Sequence, residues 1–458
     1  MTRWVGWIGM CAALGGVAAL LAAVSRTAFT MYDEGVYYYQ AVLLTRGLVP
    51  YTDYFVPQPP GILLIGAGCE WIGSGIVGVR AFSWVCGLVL LFQTFRLTQR
   101  ACEGTGTRHA APFAVTLVAA TAVFAYQSIH GATNTPAACL EVAASLLILG
   151  TNKRRFALAG FVIALATAVR LPSLIAAPGL LLLIGFADGR DGFWSRAAWF
   201  LGALGVGCAV IHLTCVVGLP GYFDNVVGFQ SNRVRTDWSD RAGQIREFLS
   251  EPTAILGVPA ALWFLCSGPP KLRGIAAHGL ISAVCISVAG KTLSVMYYLP
   301  VLPLFAVCAA VAVVRLAEGV SRLFALVALA AVVLRVPAIV GVILVQLHPN
   351  DEHANCIAAV RNAPGDVMLV ADGRIAVLAG KRLPANYNAT DPNALHLLGR
   401  EKFHEWFATV LPTVDMVVVT PPLVWWMSRG NVEQLLASGK PVFFDTDATR
   451  AEFDAYRP

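Results

Sequence analysis

Long apolar runs recur along the chain, near residues 4–24, 79–97, 111–130, 135–151, 156–169, 171–187, 197–219, 253–268, 274–290, 296–314 and 323–346. About 20 such residues suffice for a helix to cross about 30 Å of hydrocarbon. The pattern predicts a multi-pass α-helical membrane protein with about eleven transmembrane helices. One run, 156–169, is short and stops at Arg170-Leu171-Pro172, with Pro178 beyond. That spacing predicts a helix that turns back part-way through the bilayer, where irregular backbone needs protein or a polar cavity around it. After residue 348 the period changes. Runs rich in β-formers at 367–371, 416–420 and 442–444 alternate with helical ones at 353–362, 395–411 and 432–438, which predicts a small C-terminal α/β domain. The chain thus divides into a membrane module, 1–347, and a domain over 348–458.

Composition agrees with this division. Of 458 residues, 57% are hydrophobic and 13% charged, against roughly 25% charged in soluble domains; the mean hydropathy is +0.67. The net charge of +6 is modest, so its distribution carries the information. With the N-terminus inside, the cytoplasmic loops take Arg96, Arg100, Arg108, residues 153–155, Arg190, Arg196, Lys271, Arg273, Arg315 and Arg322. That arrangement satisfies the excess of Lys and Arg on the cytoplasmic side and puts the C-terminal domain outside. The outer loops are then 25–60 and 220–252, the second expected to be helical and to lie on the surface. Arg3 before a run ending Ala22-Ala23-Val24-Ser25 has the look of a secretory signal, but its length reads as a retained first span. The eleven cysteines lie mostly inside apolar runs with no CxxC pair, and read as packing residues.

Candidate chemistry concentrates in residues 32–61. Asp33 and Glu34 come just after the first apolar run, next to Val36, Leu43, Leu44 and the ring cluster of Tyr37, Tyr38 and Tyr39; Arg46-Gly47 and then Pro59-Pro60-Gly61 punctuate the rest of the stretch. Acids in the first turn of a helix cap its orphan N–H groups. A capping Asp can also serve as a base, and ionisable groups at a membrane face are functional candidates. Asp53 is read either as a turn residue after Pro50 or as a further acid of the site.

The run DEGVYYYQAVLLTRGLVPYTDYFVPQPPG resembles the first external loop of GT-C glycosyltransferases, in particular the protein O-mannosyltransferase and aminoarabinose transferase group. The stretches ATAVRLP (166–172), VMYYLPVLP (295–303) and VADGRIAVLAGKRLP (370–384) are similar to the same pattern. The resemblance implies transfer of a sugar from a polyprenyl-phosphate carrier to a lipid, glycan or protein acceptor on the outer face, with inversion. It also implies Asp33 as general base with Glu34 beside it. Arg170 and Lys291 become candidates for the carrier phosphate, with Arg80 behind them, and Tyr297 and Tyr298 for the donor cleft. Here the chain departs from its relatives, many of which carry a basic residue where Gln58 stands; the amide can donate a hydrogen bond without charge.

No cofactor is called for, and a divalent cation is left open; the cluster of Asp351, Glu352, His348 and His353 is common at a domain entry. CISVAGKT (285–292) nearly matches a phosphate-binding loop, but Cys285 replaces the first glycine at the end of an apolar run. No nucleic-acid partner is implied. Two rivals from other classes are a transporter or lipid flippase, which would also use a broken helix, and a silent scaffold whose outer domain binds a partner.

Overall fold

The computed structural model describes residues 15–16, 32–150, 152–187, 192–232, 235–290, 292–319, 351–384 and 402–457. The expected spans 323–346 and, but for Gly15 and Gly16, 4–24 lie outside these.

Among the described residues four helical segments are long and apolar enough to cross a membrane: Gly75–Ala101, Phe193–Gly218, Pro270–Ala289 and Val295–Ala317. Shorter apolar helices, Gly61–Trp71, Asn134–Ile148 and Leu171–Ala187, fill the spaces between them. Their burial orders them. Leu302–Gly319 sits at the centre, with Phe305, Val307, Ala309 and Val311 fully buried. Phe193–Gly218 lies at the rim and exposes Trp194, Trp199, Val206, Val210 and Leu213, as a lipid-facing helix does. Small residues let the backbones approach: Gly160 on Lys153–Val169 faces the Phe200 carbonyl, and Gly257 on Pro252–Ser267 faces Phe305.

The sequence shows one interrupted helix; among the described residues the structure has three breaks. Lys153–Val169 ends at Arg170, whose backbone is extended (φ −151°, ψ 109°), and a 3₁₀ turn, Leu171–Ile175, leads into Ala176–Ala187. The expected span 111–130 is instead a pair of helices bent by 71°, Arg108–Ala119 and Ala122–Ile129. Trp238–Leu249 meets Pro252–Ser267 at 88°. In loop 220–252 the helix Trp238–Leu249 does form, yet it does not merely rest on the surface. Arg241 and Phe248 are buried beneath it, because the guanidinium donates to the carbonyls of Thr236, Ser287 and Gly290 and so closes the end of Pro270–Ala289.

The C-terminal segment folds around a three-stranded parallel sheet in the order β1 (Met368–Leu369), β2 (Met416–Val419), β3 (Val442–Phe444), with Met368 opposite Met416 and Val417 opposite Val442. All four residues of β2 are buried, as suits a parallel strand covered on both faces. Its apolar core is not self-contained. Val370, Ala371, Ile375 and Ala376 share one cluster with Tyr39, Leu43, Tyr54 and Phe55 of the first loop, and the Leu383 N–H donates to the Tyr39 hydroxyl at 2.8 Å. The sheet unit and the first loop therefore occupy the same side of the helical bundle.

Candidate active site

The loop helix, Tyr32–Thr45, carries Asp33 and Glu34 in its first turn. Neighbouring residues on a helix point about 100° apart, and the two acids separate accordingly. Glu34 turns inward and is fully buried. Its Oε1 accepts from Arg80 Nε at 2.8 Å and from the Gly131 N–H at 2.9 Å; its Oε2 accepts from Arg80 Nη2 at 2.8 Å. His130 Nδ1 lies 3.7 Å from Oε2. Burial pushes the Glu34 carboxyl up, but the Arg80 and His130 partners outweigh it and hold the group down at about 2. Glu34 is thus a permanently charged clamp joining the loop helix to Gly75–Ala101 and to the chain at 130–131. The same geometry removes Arg80 from the list of phosphate ligands.

Asp33 faces the other way, into a cleft of about 100 Å³. Four of the residues singled out from sequence line this cleft together: Asp33, Gln58, Arg170 and Tyr297. Gln58 is positioned by the loop around it, its carbonyl accepting from Tyr51 Oη at 2.8 Å and its Nε2 donating to Tyr37 Oη at 3.3 Å. Arg170 enters because its extended backbone ends one helix before the next begins. Its guanidinium lies 4.4 Å from the centre of the Tyr297 ring, a cation–π contact that orients a charge without neutralising it. The Pro59-Pro60-Gly61 stop explains how the loop reaches this break: a Cβ at Gly61 would stand 2.6 Å from the Ala168 carbonyl oxygen.

The other candidates lie elsewhere. Tyr298 does not line the cleft; a 3₁₀ turn, Val295–Val301, rotates successive side chains about 120° apart, so its ring stacks on Phe248 at 4.1 Å and its hydroxyl meets Ser287 Oγ at 2.6 Å. Asp53 is exposed and accepts from the Val49 N–H at 2.7 Å, which makes it a turn residue. Lys291 falls outside the described residues. Two groups that sequence reading passed over line the lower wall, Glu141 and His278. Glu141 is the one Asp, Glu, Lys, Arg or His of the apolar run 135–151, and His278 the one of 274–290, and that interruption was the available signal. Among the described residues no three His, Cys, Asp or Glu side chains converge as metal ligands.

No protein-family model and no curated sequence matches the chain. Solved structures do. The chain resembles ArnT from Cupriavidus metallidurans bound to undecaprenyl phosphate, with a TM-score of 0.62 at 15% identity over 96% of this chain and 90% of that one. Against the apo state of ArnT the TM-score is 0.59 at 16% identity, covering 83% and 85% of the two chains. The apo oligosaccharyltransferase of Archaeoglobus fulgidus gives 0.52 at 14% identity, over 82% of this chain and 64% of that one. Both proteins are GT-C glycosyltransferases, and the multi-pass helical chain described above has the GT-C fold.

Proposed function

We propose that this chain is a membrane glycosyltransferase that moves a sugar from a polyprenyl-phosphate carrier to an acceptor hydroxyl on the outer face, with inversion at the anomeric carbon. The observation that carries the reading is the placement of one acid and one oriented cation, Asp33 and Arg170, on the wall of a single cleft. ArnT, which shares the fold, was solved with undecaprenyl phosphate, and that supports a carrier of this class. An acceptor peptide is tethered to the Archaeoglobus fulgidus oligosaccharyltransferase, so protein stands beside lipid and glycan as an acceptor class.

In this reading the Asp33 carboxylate takes the proton of the acceptor hydroxyl as its oxygen attacks the anomeric carbon. The bond from that carbon to the phosphate oxygen breaks on the opposite face, and its electron pair leaves on the carrier phosphate. A positioned base contributes about 10²–10⁴-fold. The departing phosphate needs no acid, because Arg170 meets the charge that develops there. Glu34 holds the helix that aims Asp33. The loop helix and the sheet unit lie outside and the N-terminus inside, with about eleven spans in all.

The test is purified protein in lipid given a panel of polyprenyl-phosphate sugars, with release of carrier phosphate as readout. Asp33→Asn is expected to lower release by at least 100-fold with unchanged thermal unfolding; near wild-type turnover in that variant removes Asp33 from the role. Carrier movement across the bilayer without phosphate release would decide for a flippase.

A further inference from the structure

The cleft runs deeper than the transfer step requires. Asn134, Glu141 and Ser145 line it down a single helix, so it descends about 16 Å along that axis into the bundle. At the lower end Glu141 and Ser145 meet His278 and Ser282 from Pro270–Ala289. All four are more than nine-tenths buried. Ser145 Oγ and His278 Nδ1 lie 3.4 Å apart, which leaves His278 Nε2 for the cavity. Among the described residues Ser282 Oγ has no hydrogen-bond partner, and no ion pair neutralises Glu141. The arrangement is held closely, since a Cβ at Gly179 would collide with His278 Cδ2 and Ser282 Oγ.

A buried carboxyl without a salt-bridge partner and a buried hydroxyl without a hydrogen-bond partner each cost free energy. Inside a membrane bundle such groups mark ligand sites. Between them stand apolar side chains, Ile175 and Leu304 among those lining the cleft. Hydrogen-bonding groups set between apolar walls suit a ring that carries hydroxyls at its edge and C–H groups on its faces. A phosphate does not fit there, because the Glu141 carboxyl lines that end and would repel an anion.

We infer that the lower end of the cleft binds the sugar ring of the lipid-linked donor as a neutral polyhydroxyl ring, its hydroxyls donating to Glu141 and pairing with Ser282 and His278. This rests on the function proposed above. Bound so, the ring keeps its phosphate at Arg170 and turns the opposite face of its anomeric carbon towards Asp33 and the acceptor.

The experiment compares binding of undecaprenyl phosphate with that of polyprenyl-phosphate hexoses and pentoses, an amino sugar included, to the full chain in lipid nanodiscs. Wild type is expected to bind one neutral sugar-bearing carrier at least tenfold tighter than undecaprenyl phosphate. Glu141→Gln and the smaller change Ser282→Ala should each reduce that ratio to threefold or less, with undecaprenyl phosphate binding held within twofold. An unchanged ratio in both variants overturns the inference, as does a loss shared equally by bare and sugar-bearing carriers. Preference for the amino sugar overturns the neutral class. Wild type that binds the bare carrier but gains nothing from any sugar refutes the subsite and leaves the transferase reading standing. Failure to bind any carrier refutes both.

Discussion

Replacing Glu34 with Gln isolates the clamp from the chemistry. The wild-type carboxylate is fully buried and accepts two hydrogen bonds from Arg80 and one from the Gly131 N–H. Gln keeps the shape and one acceptor oxygen but leaves the Arg80 guanidinium buried without a counter-charge. Breaking one side of such a pair costs about 3–5 kcal/mol, whereas removing both charges together is often neutral or better. Glu34→Gln and Arg80→Met alone should therefore each lower the thermal unfolding temperature in nanodiscs, and Glu34→Leu combined with Arg80→Met should recover most of the loss. Transfer at a temperature where the variants stay folded should fall chiefly through misplacement of Asp33, so the double variant regains stability before it regains rate. The reasoning fails if Glu34→Gln unfolds like wild type while transfer collapses, since Glu34 would then be acting on substrate.

Other outcomes rest on the same geometry. The Glu34 carboxyl, held at about 2 against an ordinary 4.5, contributes stability that is complete above about pH 4.5 and lost as pH falls towards 2. That is on the order of 3 kcal/mol, and acid titration of unfolding should show Glu34→Gln with a flatter limb across this window. Arg170→Lys keeps the charge but loses the planar stack on Tyr297, so carrier affinity should fall about 3- to 30-fold and turnover with it; an equal effect from Tyr297→Leu would tie the loss to orientation, and unchanged affinity in both would refute the contact. Gly61→Ala drives a methyl group into the Ala168 carbonyl and should weaken carrier binding by shifting Arg170, while Gly68→Ala, which meets nothing within 4 Å, should leave binding unchanged.

Much of the molecule could be read from its chain alone, because burial in lipid demands long apolar runs and parallel strands demand alternating helices. The helices Gly75–Ala101, Pro270–Ala289 and Phe193–Gly218, the three strands, and the break at Arg170 all reflect local pattern. The candidacy of Asp33, Gln58, Arg170 and Tyr297 was legible there too, though not their convergence. Direction was beyond reach. Glu34 and Tyr298 each stand next to a residue that lines the cleft, and only the rotation of a helix and of a 3₁₀ turn decided that both face protein. The polar floor of the cleft was equally hidden. Glu141 and His278 lie far apart in the chain, and a pairing that distant is decided by how two helices pack against each other, not by either segment. The shared core of the first loop and the sheet unit has the same cause: Tyr39 and Leu383 belong to opposite ends of the chain and meet only once both elements have folded.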